Sequence, residues 1–193
     1  MYKTLLFLLA GAAIAADIKP LPTPVVTGGM PLMEAINARQ SGRKYNPEHK
    51  IDDQTLSEIL WVAWGVNQHG KRTIPTARNK QNMGLYVLTP DGTWRYEAKE
   101  NQLVKVNDKN LIPFCEQQGF VKNAPLHLLY TAKDDRWGRA HVGSAYQNVY
   151  LYATSKELNT VIRGMLDTEG LTRELAPTDG QVVIAHQTVG YAN

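Results

Sequence analysis

The sequence predicts one α+β domain, a mainly antiparallel sheet flanked by helices, and three observations predict it. Leu85 to Leu88 and Thr93 to Tyr96 carry β-favouring residues on either side of Asp91-Gly92, the pattern of a hairpin. Two stretches, Leu56 to Trp64 and Val142 to Ala153, repeat apolar residues at helical spacing. The 193 residues, 43% hydrophobic and 20% charged, suffice for one ordinary core and not for two.

Taken in order, residues 1–16 read as a secretory signal peptide. Lys3 supplies a positive charge, Leu5 to Ala12 an apolar run too short to span a bilayer well, and Ala13-Ile14-Ala15 a small-x-small cleavage pattern. The plain alternative is a retained anchor or a buried first helix. With no Cys near the cleavage site to accept lipid, the expectation is an exported soluble protein, periplasmic or secreted, without membrane contact after cleavage. Residues 17–30, with Pro20, Pro22, Pro24 and Gly28-Gly29, read as an extended arm lying across its own domain or a partner subunit, and 31–193 as the domain proper.

Pro31 suits a helix start, and Leu32, Met33, Ala35 and Ile36 give that short helix an apolar side. The next helix is capped by Asp52 or Asp53, carries Leu56, Ile59, Leu60, Ala63 and Trp64 on its core stripe, and ends at Gly65. From Val66 to Asn82 periodicity is lost, and the cations there read as a solvated loop. After the hairpin, Leu111 to Gln118 is expected to be helical and Leu126 to Thr131 an apolar strand. A long central helix, opened by His141, and a strand over Gln181 to Tyr191 complete the chain.

A formal charge of +3, from 21 basic and 18 acidic residues, is too mild to argue for nucleic acid or an anionic membrane. No dinucleotide-binding or phosphate-loop glycine motif is present, and the five histidines show neither paired helical spacing nor association with cysteine, which argues against a metal site. His127, in an apolar strand, reads as a core histidine. The single cysteine, Cys115, excludes an intrachain disulfide and suits a small buried position. The most informative residues are Arg39-Gln40-Ser41-Gly42-Arg43. They set two guanidinium groups and a hydroxyl where a helix ends, and guanidinium forks match phosphate oxygens bidentately. A solvated basic turn complementing the helix dipole is the alternative.

Five motifs in order resemble the nitroreductase family of FMN-dependent oxidoreductases along nearly the whole mature chain. They are the Arg39–Arg43 box, the Ile59-Leu60-Trp61-Val62-Ala63-Trp64-Gly65 helix end, and the Pro75-Thr76-Ala77-Arg78-Asn79 loop before a strand. The Gln147-Asn148-Val149-Tyr150-Leu151-Tyr152-Ala153 helix follows, then the Val161-Ile162-Arg163-Gly164 loop with a final strand ending Val189-Gly190-Tyr191. The resemblance implies a nitroreductase-like α+β fold completed in a homodimer. Arg39 and Ser41 would then hold the FMN phosphate and ribityl chain, Gln40 would add a polar contact, and Arg43 would lie against the flavin N1 and C2 edge. Pro75, Thr76 and Asn79 would reach the other subunit's flavin, and backbone N–H groups near Arg163 and Gly164 would face the ring.

The resemblance implies no catalytic side chain, because chemistry comes from FMN. It also implies a donor such as NAD(P)H, or, for an exported protein, a protein or quinol, and small electron-poor acceptors such as nitroaromatics or quinones. Many members place a further basic residue near the end of the chain, where this one has Ala192-Asn193; the phosphate would rest on Arg39 and Ser41 with help from Arg78 or Lys80. The usual Lys before the central strand has Gln117 or Gln118 as its amide counterpart. The rival expectations are a non-catalytic flavin carrier and an exported anion-binding protein without flavin.

Overall fold

The computed structural model describes residues 17–193; the signal-peptide reading of residues 1–16 lies outside the described residues. The core elements follow from the pattern of apolar residues. Strands β1 (Ile18–Pro20), β2 (Gly84–Thr89), β3 (Gly92–Glu97), β4 (Gln102–Asn107), β5 (Leu126–Ala132), β6 (Leu158–Arg163) and β7 (Val182–Tyr191) alternate with helices α1 (Leu32–Ala38), α2 (Asp53–Trp64), α3 (Arg136–Ser155) and α4 (Thr168–Leu175). The strands form one seven-stranded sheet in the order β1-β4-β3-β2-β5-β7-β6, with every neighbouring pair antiparallel.

The two sheet faces bury different elements because side chains alternate along each strand. Leu85 and Val87 of β2 and Leu128 and Tyr130 of β5 pack with Ile59, Leu60, Ala145 and Val149 of α2 and α3. Tyr86, Leu88 and Leu129 turn the other way and pack with Leu111, Cys115, Val121 and Leu171. Central strand β5 is therefore buried at all seven positions. Asp52 caps α2 by accepting from the Thr55 N–H at 2.7 Å, and Gly65 ends it. Arg72, in the loop read as solvated, instead lays its guanidinium over Trp64 and donates to the Trp64 carbonyl at 3.1 Å, closing the helix end.

The arm lies across its own domain. Ile18 pairs with Val104, Ser57 Oγ donates to the Pro22 carbonyl at 2.6 Å, and Gln54 donates to the Thr23 carbonyl at 3.1 Å. Several expectations are corrected. Leu111 to Gln118 forms no α-helix: a 3-10 turn at Ile112–Cys115 that contains Pro113 stands there instead, and a second, Gly119–Asn123, follows it. His141 does not open the central helix, which starts at Arg136 and is capped by Asp135. Val161 to Arg163 belongs to β6 and not to a loop, and β4 and α4 are additional elements. Of the apolar residues assigned to α1, Ala35 is buried, while Leu32, Met33 and Ile36 remain 63%, 75% and 49% exposed.

A buried polar chain locks β5, β6 and β7. The Arg163 guanidinium donates to the Cys115 carbonyl at 2.7 Å, to Gln118 Oε1 at 2.8 Å and to the Met165 carbonyl at 2.7 Å. It also lies 3.0 Å from His186 Nδ1, and His186 Nε2 lies 3.2 Å from His127 Nδ1. Arginine has only donors, so His186 Nδ1 must accept, which leaves its Nε2–H to donate to His127. Both imidazoles are thereby neutral. Burial pushes His127 down to about 4 and His186 well below the ordinary 6.5. In the unfolded chain both take up protons as pH falls through 6.5, while in the native state they resist, so stability present above that pH is lost toward pH 4. Urea unfolding should show the midpoint declining already between pH 7 and 5. A midpoint constant over that range would contradict the neutral pair.

Candidate cofactor site

The Arg39–Arg43 box is laid against an edge of the sheet. As α1 ends, the Arg39 N–H donates to the Ala35 carbonyl at 3.0 Å, and the chain then runs beside β6, where the Gly42 N–H donates to the Thr160 carbonyl at 3.0 Å. Asn159 Nδ2 donates to the Lys44 carbonyl at 2.7 Å, and the Tyr45 hydroxyl donates to the Gly42 carbonyl at 3.0 Å while sitting 2.7 Å from Thr188 Oγ1. Gly42 is required by closeness: a Cβ there would fall onto the Asn159 side chain, far inside van der Waals contact.

Tyr150 of α3 organises the box's functional groups. Its hydroxyl accepts from the Ile162 N–H at 3.0 Å and lies 3.0 Å from Ser41 Oγ. A phenolic oxygen can accept two hydrogen bonds and donate one, so either hydroxyl can be the donor in the Ser41–Tyr150 pair, and the pair fixes where the Ser41 hydroxyl sits. The Arg39 guanidinium lies 5.1 Å from the centre of the Tyr150 ring. Phe120 plays the matching part further along, with the Arg43 guanidinium 5.9 Å and that of Arg163 5.6 Å from its ring centre. Neither Arg39 nor Arg43 forms an ion pair or hydrogen bond through its guanidinium with another described residue. The donor set suits a phosphate-bearing ligand: two unpaired guanidinium forks with a positioned hydroxyl between them in the chain.

Arg39, Ser41, Arg43 and Arg163 are thus brought together around Tyr150 and Phe120. Gln40 is exposed beside them. The Arg163 side chain points into the core, so what it can offer a ligand is its backbone and that of exposed Gly164, which has open space beside it. Gln118 is already used by Arg163, and Gln117 donates to the Phe114 carbonyl at 2.9 Å. His127 is the core histidine expected, and Cys115 is fully buried, its thiol pushed up to about 12 by burial.

Pro75, Thr76 and Asn79 are not brought to the box within one chain. Their loop is pinned to α3 where the Ala77 N–H donates to His141 Nε2 at 2.8 Å. His141 and Tyr150 are nine positions apart in the helix, about 13 Å along its axis. Thr76 Oγ1 accepts from the Gln81 N–H at 3.2 Å, and Asn79 Oδ1 accepts from Gln81 Nε2 at 3.2 Å. Arg78, Asn79 and Gln81 hold left-handed φ values of 53°, 52° and 49°, a concentration of backbone strain typical of loops shaped for a ligand or partner. Sequence reasoning missed Tyr150, Phe120, Tyr45 and Asn159. The signal for Tyr150 was its hydroxyl inside a run read purely as core.

Three comparisons place this arrangement among known proteins. The family model described as "Nitroreductase family" matches residues 36–191. A candidate nitroreductase of Methanocaldococcus jannaschii is 30% identical over 155 residues, which cover 69% of this chain and 78% of the relative. The crystal structure of a candidate nitroreductase from Ralstonia eutropha superposes with a TM-score of 0.83 at 32% identity, covering 91% of this chain and 90% of that one. A further one, from Anabaena variabilis, shares the fold at 16% identity, with a TM-score of 0.73 over 92% of this chain and 42% of its own.

Replacing Tyr150 by Phe removes the acceptor for the Ile162 N–H and the hydrogen-bond partner of Ser41. Leaving such a part-buried N–H unpaired should lower stability by about 1 kcal/mol, the low end of the cost for a buried group, in denaturant titration. An unchanged midpoint would show that Tyr150 is not the partner of that group.

Proposed function

The chain belongs to the nitroreductase family, and from that premise we propose that it is an FMN-dependent oxidoreductase acting as an exported homodimer on small electron-poor acceptors. The observation that carries the reading is the Ser41–Tyr150 pair flanked by unpaired Arg39 and Arg43. Arg39 and the Ser41 hydroxyl hold the terminal phosphate and ribityl chain, with Gln40 beside them. Arg43 lies against the N1 and C2 edge, where a cation stabilises the negative charge of the reduced ring. Backbone N–H groups near Arg163 and Gly164 face the ring.

When bound, FMN supplies a two-electron relay, taking hydride at N5 from a reduced donor and passing it to an acceptor. The donor is a reduced nicotinamide or, outside the cytoplasm, a protein or quinol; the acceptors are nitroaromatics or quinones. Pro75, Thr76 and Asn79 complete the partner subunit's site. Their distance from the box of their own chain supports this division, and the exposed Leu32, Met33 and Ile36 give α1 an apolar side for a second copy to cover.

The purified protein should be yellow, bleach with an electron donor and recover colour with an acceptor. Chromophore released by heat should be FMN, and FAD alone would overturn the assignment. Arg39→Ala should weaken FMN binding about ten- to a hundredfold, the equivalent of roughly 1.5–3 kcal/mol for a charge-assisted phosphate contact. Arg43→Ala should instead lower the midpoint potential of the bound flavin. Flavin bound to that variant at unchanged potential would remove Arg43 from the ring edge.

A further inference from the structure

Arg43 is exposed, and its guanidinium makes no ion pair or hydrogen bond with another described residue. An arginine left in that condition samples many rotamers, and holding it in one place costs side-chain entropy. What the fold sets against that cost is an aromatic ring. The Arg43 guanidinium lies 5.9 Å from the centre of Phe120, within the range where the negative face of a ring attracts a cation.

The ring is itself held by its surroundings. Phe120 belongs to the 3-10 turn Gly119–Asn123, and residues on both sides of it are fixed. Gln118 accepts from Arg163 Nε at 2.8 Å through its side chain, and its carbonyl accepts from the Val121 N–H at 3.1 Å. Val121 is fully buried in the cluster that contains Tyr86, Leu88 and Leu129. The ring of buried Tyr45 stands 6.5 Å from that of Phe120, centre to centre, and the Arg163 guanidinium 5.6 Å from its centre. Arg163 cannot follow a moving ring, because its N–H groups are committed to Cys115, Gln118, Met165 and His186. Phe120 thus takes its place from Arg163, and Arg43 takes its place from Phe120. The two cations repel one another, so without the ring the exposed one would swing into water while the buried one stayed. Packing accounts for a large apolar side chain at position 120, and any such side chain would fill the space. It does not account for two guanidinium groups on one ring.

We propose that Phe120 is a positioning residue, whose ring holds the Arg43 guanidinium where it stabilises the charge of the reduced flavin. The proposal rests on the placing of Arg43 at the N1 and C2 edge. Its test combines midpoint potentials of the FMN-saturated protein, read against dyes, with nuclear magnetic resonance of the Arg43 side chain in the flavin-free full chain.

Phe120→Leu removes the ring and keeps apolar bulk. It should lower the midpoint potential in the same direction as Arg43→Ala, and by no more. Combining the two changes should add nothing to Arg43→Ala alone, because both remove one interaction. Phe120→Tyr keeps the ring and should keep the potential. In the flavin-free chain the Arg43 resonances, displaced by the ring, should move toward those of a solvated arginine in Phe120→Leu and hold in Phe120→Tyr. Phe120→Met, also ringless, gives the same readings if the Leu variant fails to fold. A potential unmoved by Phe120→Leu while Arg43→Ala lowers it would overturn the proposal, and so would a drop fully additive with that of Arg43→Ala, the result of a Phe120 that only fills space. If no flavin binds, or if Arg43→Ala leaves the potential unmoved, the flavin reading fails by itself. The Arg43 resonances then decide the positioning alone, and resonances unchanged in Phe120→Leu would overturn it.

Discussion

A buried cation without a carboxylate partner among its described contacts governs much of this structure. Arg163 is 5% exposed, and its guanidinium is satisfied by two carbonyls, an amide oxygen and an imidazole nitrogen. An unpaired charge in such a place is costly, and only a complete set of acceptors makes it tolerable. That requirement fixes the Cys115 and Met165 carbonyls and the tautomers of His186 and His127. It also draws the 3-10 segment onto the sheet, setting Phe120 where both Arg43 and Arg163 can lie against it. The position of the exposed backbone at Gly164 therefore follows from an Arg163 side chain pointing the opposite way.

The same logic of one group serving two ends recurs at Tyr150. Its phenol satisfies a β6 N–H and orients a hydroxyl of the box, while its ring supports a guanidinium. The box is short and exposed, and a turn of that kind would sample many shapes by itself. Contacts to β6, to Asn159 and to Tyr45 hold it in one. Preorganisation of this sort reduces the ordering that binding must impose, and so raises affinity without adding a contact.

Much of this was legible in the sequence where a local rule and the tertiary demand agree. The Asp52 cap, the stop at Gly65, the β2–β3 hairpin and the apolar runs of β5 and β7 are such places, and the Arg39, Ser41 and Arg43 grouping followed from residue chemistry alone. Legibility failed where polar residues were satisfied from afar. Thr160 donates to the Thr188 carbonyl at 2.8 Å and Arg163 finds its acceptors in three other segments, so β6 lacks the apolar signature of a buried strand. Gly170 within α4 obscured that helix, and the accessory 3-10 turns answer to Arg163 and Pro113 more than to helical periodicity. Tyr150 and Phe120 escaped notice because an aromatic in an apolar context reads as packing, and its role depends on which groups the fold lays against it.

The sheet ends in two edge strands, and the segment from residue 17 to 45 attends to both. Residues Ile18–Pro20 pair with β4 on one side, and the box runs along β6 on the other, contributing the Gly42 hydrogen bond. Exposed strand edges are templates for pairing with other chains. One N-terminal stretch thus doubles as a guard against self-association, and a proteolytic nick between its two ends would cut the β1 guard loose and open the β4 edge as a route to aggregation, while the box stays tethered beside β6.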